Sequence, residues 1–259
     1  MNYSLNFPKG VALIVGGSGG IGSAIASRLV LSGCKVALTY FKNESGAKKV
    51  CSLLNKEKEV CSFHQLDIRD RKSIEKLLQL LTNKYSTIHT VINSAGFDIP
   101  QKMISELDFE TWKKVIDSDL HGFFNLVSIS LPYLRKKGGS YLFISSAGLF
   151  KYPPGDILSV APKAGIESLI KGLAKEEGLN NIRANSIALG IIDTGIFQRL
   201  KEEKNSFFDD DWEKAVMNSL ALKRFGKPQE VADLAVFLTS IEAGYITGQL
   251  IAVDGGYSV

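Results

Sequence analysis

Short apolar runs alternate with longer amphipathic stretches along almost the whole chain, and that alternation predicts the elements. Val11–Val15 is an unbroken apolar run with a glycine cluster behind it, and residues 21–31 carry apolar side chains at helical spacing. Lys35–Tyr40 reads as a strand, 45–56 as a helix, 59–64 as a strand, 71–84 as a helix and 90–93 as a short buried strand. Residues 109–134 predict one long helix, 141–145 a strand, 160–177 a helix, 183–188 a strand, 229–239 a helix and 250–253 a last strand. Strands that alternate with helices in this way predict an α/β fold, a doubly wound parallel sheet with helices on both faces. No linker, composition shift or repeat divides residues 1–259, so a single domain is expected. The polar interval 193–211, which contains KEEKNSFFDDD, interrupts the rhythm. A loop that long in a compact domain predicts a functional lid or a mobile segment.

Composition narrows the classes. With 45% hydrophobic and 22% charged residues, the chain is neither disordered nor fibrous. The formal charge of +4 comes from 31 basic and 27 acidic residues. The basic residues lie beside acids, as in KNESGAKK, which predicts a solvated surface and no nucleic-acid partner. No run approaches the ~20 apolar residues of a membrane span, and MNYSLNFPKG does not read as a secretory signal. Cysteines 34, 51 and 61 lack metal-ligand spacing, and an odd number cannot all pair internally. They are expected to be reduced, buried or half-buried thiols in a cytoplasmic protein. The histidines at 64, 89 and 121 are isolated, which argues against a metal site or a histidine-based triad.

The glycine cluster carries the first chemistry. Val15-Gly16-Gly17-Ser18-Gly19-Gly20-Ile21-Gly22 follows a strand and opens a helix. Small residues there let a pyrophosphate approach backbone N–H groups at the positive end of the helix. The fold expected is therefore Rossmann-type, with Gly16, Ser18, Gly20, Ile21 and Gly22 at the phosphates.

The spacing Gly16-x3-Gly20-x-Gly22 resembles the short-chain dehydrogenase/reductase family, with Val15 where that family has threonine. Asp67-Ile68 is similar to the family's adenine-contacting acid after the third strand, and Asn93-Ser94-Ala95-Gly96 to its Asn-Asn-Ala-Gly turn. Ile144-Ser145-Ser146 resembles the end of its fifth strand. The tail from Arg224-Phe225-Gly226-Lys227-Pro228 through Ile246-Thr247-Gly248-Gln249 to Val253-Asp254-Gly255-Gly256 resembles the acyl-carrier-protein reductase-like branch. The resemblance implies cofactor contacts at Asp67, Ile68, Asn93, Ala95, Gly96, Lys163, Gly190, Ile192 and Thr194.

The end of the second strand reads Thr39-Tyr40-Phe41-Lys42-Asn43 and holds no acid for a ribose 2′-hydroxyl. Lys42, Asn43 and Ser45 are instead suited to a 2′-phosphate, with Tyr40 alongside. NADP(H) is expected in preference to NAD(H), although Phe41 stands where the family usually has arginine. The alternative for Lys42 is an ordinary solvated lysine.

The family's reaction uses a serine that orients the carbonyl, a tyrosine that gives its proton, and a lysine four residues after the tyrosine. Ser146 and Lys163 hold the serine and lysine positions, with Pro154-Gly155 between them as the family has it. The tyrosine position is Ser159, and the asparagine of the central helix aligns with Asp119. A serine hydroxyl is a far poorer general acid than a phenol of pKa about 10. Tyr152 and Asp119 are the substitute proton sources in sequence, and Asp119 is equally suited to pairing with Lys163.

Ser159-Val160-Ala161-Pro162-Lys163-Ala164-Gly165 is similar to the Ser-x-x-Ala-Lys-Ala-Gly of 2,4-dienoyl-CoA reductases, and Thr194–Leu200 resembles their region after the sixth strand. Conjugate reduction needs hydrogen-bond donors for an enolate oxygen more than it needs an acid. Those enzymes use a tyrosine fifteen residues before the lysine, and position 148 here is glycine. Pro162 leaves two alternatives. A helix starting at Ser159 makes that serine its N-cap. A start at Asp156 puts Pro162 in the second turn, where it is expected to disrupt the helix and displace Lys163.

Two functions follow. One is an NADP(H)-dependent reductase of an acyl thioester (carrier-protein- or CoA-linked) or an apolar ketone or enone, by 3-oxoacyl or conjugated enoyl/dienoyl reduction. The other is a weak or inactive relative serving as a binding or structural subunit, paired with an active reductase. Resemblance implies a homotetramer or dimer through 109–134, 160–177 and the last strand. Residues 193–220 are expected to form the substrate lid, and Phe197, Phe207, Phe208 and Trp212 point to an apolar or acyl substrate.

Overall fold

The computed structural model describes residues 5–96, 99–195, 197–198 and 210–259. Its elements run β1 (Val11–Val15), α1 (Gly20–Leu31), β2 (Lys35–Tyr40), α2 (Glu44–Leu54), β3 (Cys61–Gln65), α3 (Arg71–Tyr85) and β4 (Ile88–Asn93). They continue through α4 (Phe109–Ile116), α5 (Gly122–Leu134), β5 (Gly139–Ser146), α6 (Ile157–Glu176), β6 (Ile182–Leu189), α7 (Asp210–Ser219), α8 (Pro228–Thr239) and β7 (Leu250–Val253). All seven strands lie parallel in the order β3-β2-β1-β4-β5-β6-β7. This is the expected Rossmann-type doubly wound sheet, with its switch point between β1 and β4.

Burial on both faces explains the unbroken apolar runs. In β1, Val11, Leu13 and Val15 enter a core shared with α3, α5 and α6. Ala12 and Ile14 enter the opposite core, with α1 and α8. The alternation is the period-two geometry of a strand.

Four differences from the sequence reading matter. The expected helix 109–134 is interrupted by a π-helical turn at Asp117–His121, which joins α4 to α5 and carries Asp119. The helix expected at 160–177 begins at Ile157, with Asp156 as its N-cap. A helix, α7, lies within the stretch read as loop and lid. Finally, Cys51 and Cys61 form a disulfide, where reduced thiols were expected. The packing of α2 beside β3 sets their Cα atoms 5.3 Å apart, within disulfide range. Cys34 is a buried free thiol, and burial pushes its pKa up to about 12. Among the described residues, no helix is long and apolar enough to cross a membrane.

Candidate active site

Parallel strands point their carboxyl ends at one edge of the sheet, and the candidate residues gather there. Gly16 leaves β1 at φ +77°, a conformation that side chains rarely adopt. A Cβ at Gly16 would lie 2.7 Å from the Ala95 nitrogen, so the loop after β1 is pressed against the loop after β4. Ser94 holds that contact, its Oγ and N donating to the Val15 carbonyl at 2.8 and 2.9 Å. Asn93 is buried and accepts from the Ala95 N–H at 3.2 Å. Gly96 follows with open space where a Cβ would stand.

Gly19 caps α1 without any side-chain hydrogen bond. The first-turn N–H groups of α1 therefore remain for a ligand, at the positive end of the helix dipole. Ser18 is half-buried in the loop, Ile21 packs against the core below, and Gly22 is buried. Thr194 closes the far side, since a Cβ on Gly20 would strike its side chain. Ile192 is buried and bridges Gly226, and Gly190 donates its N–H to the Val253 carbonyl at 3.0 Å. A cradle of four glycines and one serine leading into an uncapped helix fits a pyrophosphate.

At the end of β2, Tyr40 is half-buried with its ring 6.3 Å from Phe63. Phe41 is flanked by two cations, Lys42 Nζ at 5.6 Å and Arg69 Cζ at 5.3 Å from the ring centroid. Asn43 and Ser45 are turned to the cap of α2. Asn43 Oδ1 accepts from Gly46 N at 2.9 Å and from Ser45 Oγ at 3.2 Å. Asp67 pairs with Arg69 at 2.7 Å, and those hydrogen bonds hold its carboxyl below the usual range. Ile68 packs against Gly122 at the start of α5. Arg69 was missed in sequence, although it lies two residues beyond Asp67.

The catalytic candidates meet where β5 ends and α6 begins. Ser146 Oγ accepts from Gly148 N at 3.0 Å. A Cβ on Gly148 would sit 2.9 Å from the Val160 side chain and 3.1 Å from Ser146 Oγ. That close approach leaves no room at 148 for the tyrosine of the dienoyl reductases. Lys163 Nζ donates to Ser159 Oγ at 3.1 Å and approaches the Ser159 carbonyl at 3.5 Å. Ser159 is thus inside the helix, not its cap: its N–H and that of Val160 bond to the Asp156 carbonyl at 3.0 and 2.9 Å. Pro162 does occupy the second turn, yet α6 runs through it, and Lys163 stays one turn from Ser159.

Burial lowers the Lys163 pKa, while the charges of Asp119 and Asp156 pull it upward. Asp119 therefore faces the lysine electrostatically from the π turn. Asp156 is a site residue that sequence reasoning missed. Burial raises its pKa, against a hydrogen bond from Gln101 (3.3 Å), the charge of Lys163 and the Ser159 hydroxyl. Its place at the N-cap, three residues before Ser159, was the available signal. Tyr152 is exposed and hydrogen-bonds to none of these groups among the described residues. In the expected lid, Phe197 packs on Phe225 (4.9 Å) and Trp212 (6.0 Å), while Phe207 and Phe208 lie outside the described residues.

A family model described as enoyl-(acyl carrier protein) reductase matches residues 15–258. The chain is 34% identical over 246 residues to a 3-oxoacyl-acyl-carrier-protein reductase of Chlamydia muridarum, covering 95% of this chain and 96% of that one. It is 30% identical over 250 residues to glucose 1-dehydrogenase 2 of Bacillus subtilis, covering 96% and 94%. A short-chain type dehydrogenase/reductase of Mycobacterium ulcerans superposes with a TM-score of 0.88 at 25% identity, over 98% of this chain and 91% of that one. A dehydrogenase/reductase of Sinorhizobium meliloti 1021 gives 0.88 at 28%, over 99% and 98%. The chain belongs to the short-chain dehydrogenase/reductase family of oxidoreductases, on its 3-oxoacyl-acyl-carrier-protein reductase-like branch.

Proposed function

We propose that the protein is an NADP(H)-dependent reductase of an acyl thioester, carrier-protein- or CoA-linked, and that it works without the family's tyrosine. The observation that carries this reading is the Ser146, Ser159 and Lys163 group at the same sheet edge as the uncapped N-terminus of α1. The relatives' names, which include 3-oxoacyl-acyl-carrier-protein reductase, support the substrate class.

Bound at that edge, the nicotinamide supplies a hydride. The chain supplies the rest. Gly16, Ser18, Gly20, Ile21 and Gly22 hold the pyrophosphate on backbone N–H groups. Asp67, Ile68, Asn93, Ala95 and Gly96 line the nucleotide, with Gly190, Ile192 and Thr194 opposite. Lys42 and Arg69, flanking Phe41, hold the 2′-phosphate, which favours NADP(H) over NAD(H).

Ser146 accepts from a backbone N–H and keeps its own hydrogen for a substrate oxygen. Ser159 accepts from Lys163 and donates its own hydrogen to Asp156, from which a substrate oxygen would take it over. Two hydroxyl donors backed by a cation stabilise negative charge on an oxygen without transferring a proton. That chemistry suits conjugate reduction of an enoyl or dienoyl thioester. Carbonyl reduction is the second reading, favoured by Asp156, a carboxyl whose burial-raised pKa lets it keep a proton to donate at a higher pH than an ordinary aspartate. Phe197 and Trp212, within the expected lid, offer an apolar surface to the acyl chain, and the long helices pair copies of the chain into a dimer or tetramer.

The test is turnover of NADPH with a panel of 3-oxoacyl, enoyl and dienoyl thioesters. Oxidation of NADPH with the enoyl or dienoyl members supports the first reading, and with the 3-oxoacyl members the second. No turnover with any of them supports an inactive subunit.

A further inference from the structure

We infer that Ser159 and Lys163 form a nucleophile–base dyad that removes an acyl group from a thioester with no nucleotide present. The inference goes beyond hydride transfer and rests on the proposed function only for the substrate class.

Replacing a phenol by a primary hydroxyl removes an acid and introduces a nucleophile. As an ammonium, Lys163 Nζ donates to Ser159 Oγ at 3.1 Å from one turn away on the same helix, while the serine hydrogen goes to Asp156; as a neutral amine, the same contact places the nitrogen to take the serine proton. Serine–lysine pairs of this kind are a known variant of the serine nucleophile and its base. Three surrounding features favour attack. Ser159 lies in the first turn of α6, whose positive end stabilises the developing alkoxide. Burial lowers the Lys163 pKa and so favours the neutral amine, against the opposing charges of Asp119 and Asp156. Ser146, brought beside the start of α6 at Gly148, keeps its hydroxyl hydrogen for the carbonyl oxygen.

The step balances without an oxidant. Once the Lys163 ammonium has lost a proton to water, the Ser159 hydroxyl proton passes to the neutral amine as Oγ bonds to the thioester carbonyl carbon. The tetrahedral adduct collapses with cleavage of the C–S bond, and the departing thiolate takes the proton from Lys163. Free thiol and an acyl ester on Ser159 result. Water then attacks that ester, with its proton passing to the same amine and back to Oγ, and the carboxylic acid leaves.

The experiment uses the full chain without nucleotide, with crotonyl and acetoacetyl N-acetylcysteamine thioesters and with p-nitrophenyl acetate. Thiol or p-nitrophenolate release is followed, and peptide mass mapping locates any acyl adduct. The expected result is an adduct on Ser159 of the unsubstituted protein. Release is expected to fall roughly a hundredfold or more in Ser159→Ala and in Lys163→Arg, which keeps the charge but not the base. No release above buffer, an adduct mapped only to another residue, or release unchanged in both variants overturns the inference. The adduct map needs no variant, so a variant that fails to fold does not remove the test. NADPH binding, measured separately on the same protein, distinguishes failure of this inference from failure of the reductase reading.

Discussion

At position 159 the side chain is a hydroxyl held by Lys163, within the first turn of a helix it does not cap. If the missing phenol is what limits carbonyl reduction, Ser159→Tyr is expected to raise NADPH oxidation with 3-oxoacyl thioesters by about tenfold to a hundredfold. Steady-state rates across the thioester panel check this, and an unchanged rate shifts attention to Asp119. At position 42, if Lys42 holds the 2′-phosphate as proposed, Lys42→Ala is expected to weaken NADPH about tenfold and leave NADH unchanged. Equal weakening of both nucleotides rejects that role. Ser146, Ser159 and Lys163 were legible as a group because the resemblance fixes their spacing. Asp156 and Arg69 were not, because their relation to Lys163 and Phe41 arises only when loops from different strands meet.

The elements were read best where burial on both faces leaves an unambiguous apolar run, as in β1 and β2. They were read worst where tertiary contacts decide. The periodicity of 109–134 continues through Asp117–His121, so the extra residue of the π turn leaves no sequence mark. The start of α6 depends on Asp156, and α7 lies in a polar stretch whose apolar residues are sparse. The pairing of Cys51 with Cys61 follows from α2 packing on β3, which spacing alone does not show. For the glycine loop, Gly16→Ala is expected to cost about 1–3 kcal/mol through its positive φ alone. Contact with the Ala95 nitrogen adds to that. Denaturant unfolding gives the cost, and a stability unchanged from the parent contradicts the geometry described for the β1 and β4 loops.

For the molecule as a whole, His89 makes stability depend on pH. It is buried within β4 with Nδ1 2.9 Å from Thr90 Oγ1, and burial lowers its pKa to about 4. The unfolded chain protonates this histidine near its ordinary value of about 6.5. Between those values the unfolded state binds more protons, so the contribution is full above the ordinary value and falls as pH drops toward about 4. The slope is about 1.4 kcal/mol per pH unit for this one group. Unfolding curves of the parent and His89→Asn are expected to converge as pH falls through that window, because the variant lacks this loss. A parallel pH dependence contradicts a buried neutral imidazole.

The carboxyl edge of this sheet is the proposed NADP(H) site, and reduction there is proposed to proceed without the tyrosine. The most direct test of that site is a fluorescence titration of the purified protein with NADPH and, alongside it, NADH. Saturable binding of both is expected, with NADPH at least about tenfold tighter. Equal affinities contradict the 2′-phosphate site at Lys42 and Arg69. Binding of neither by a folded protein contradicts the redox site altogether and leaves the chain a structural or binding subunit.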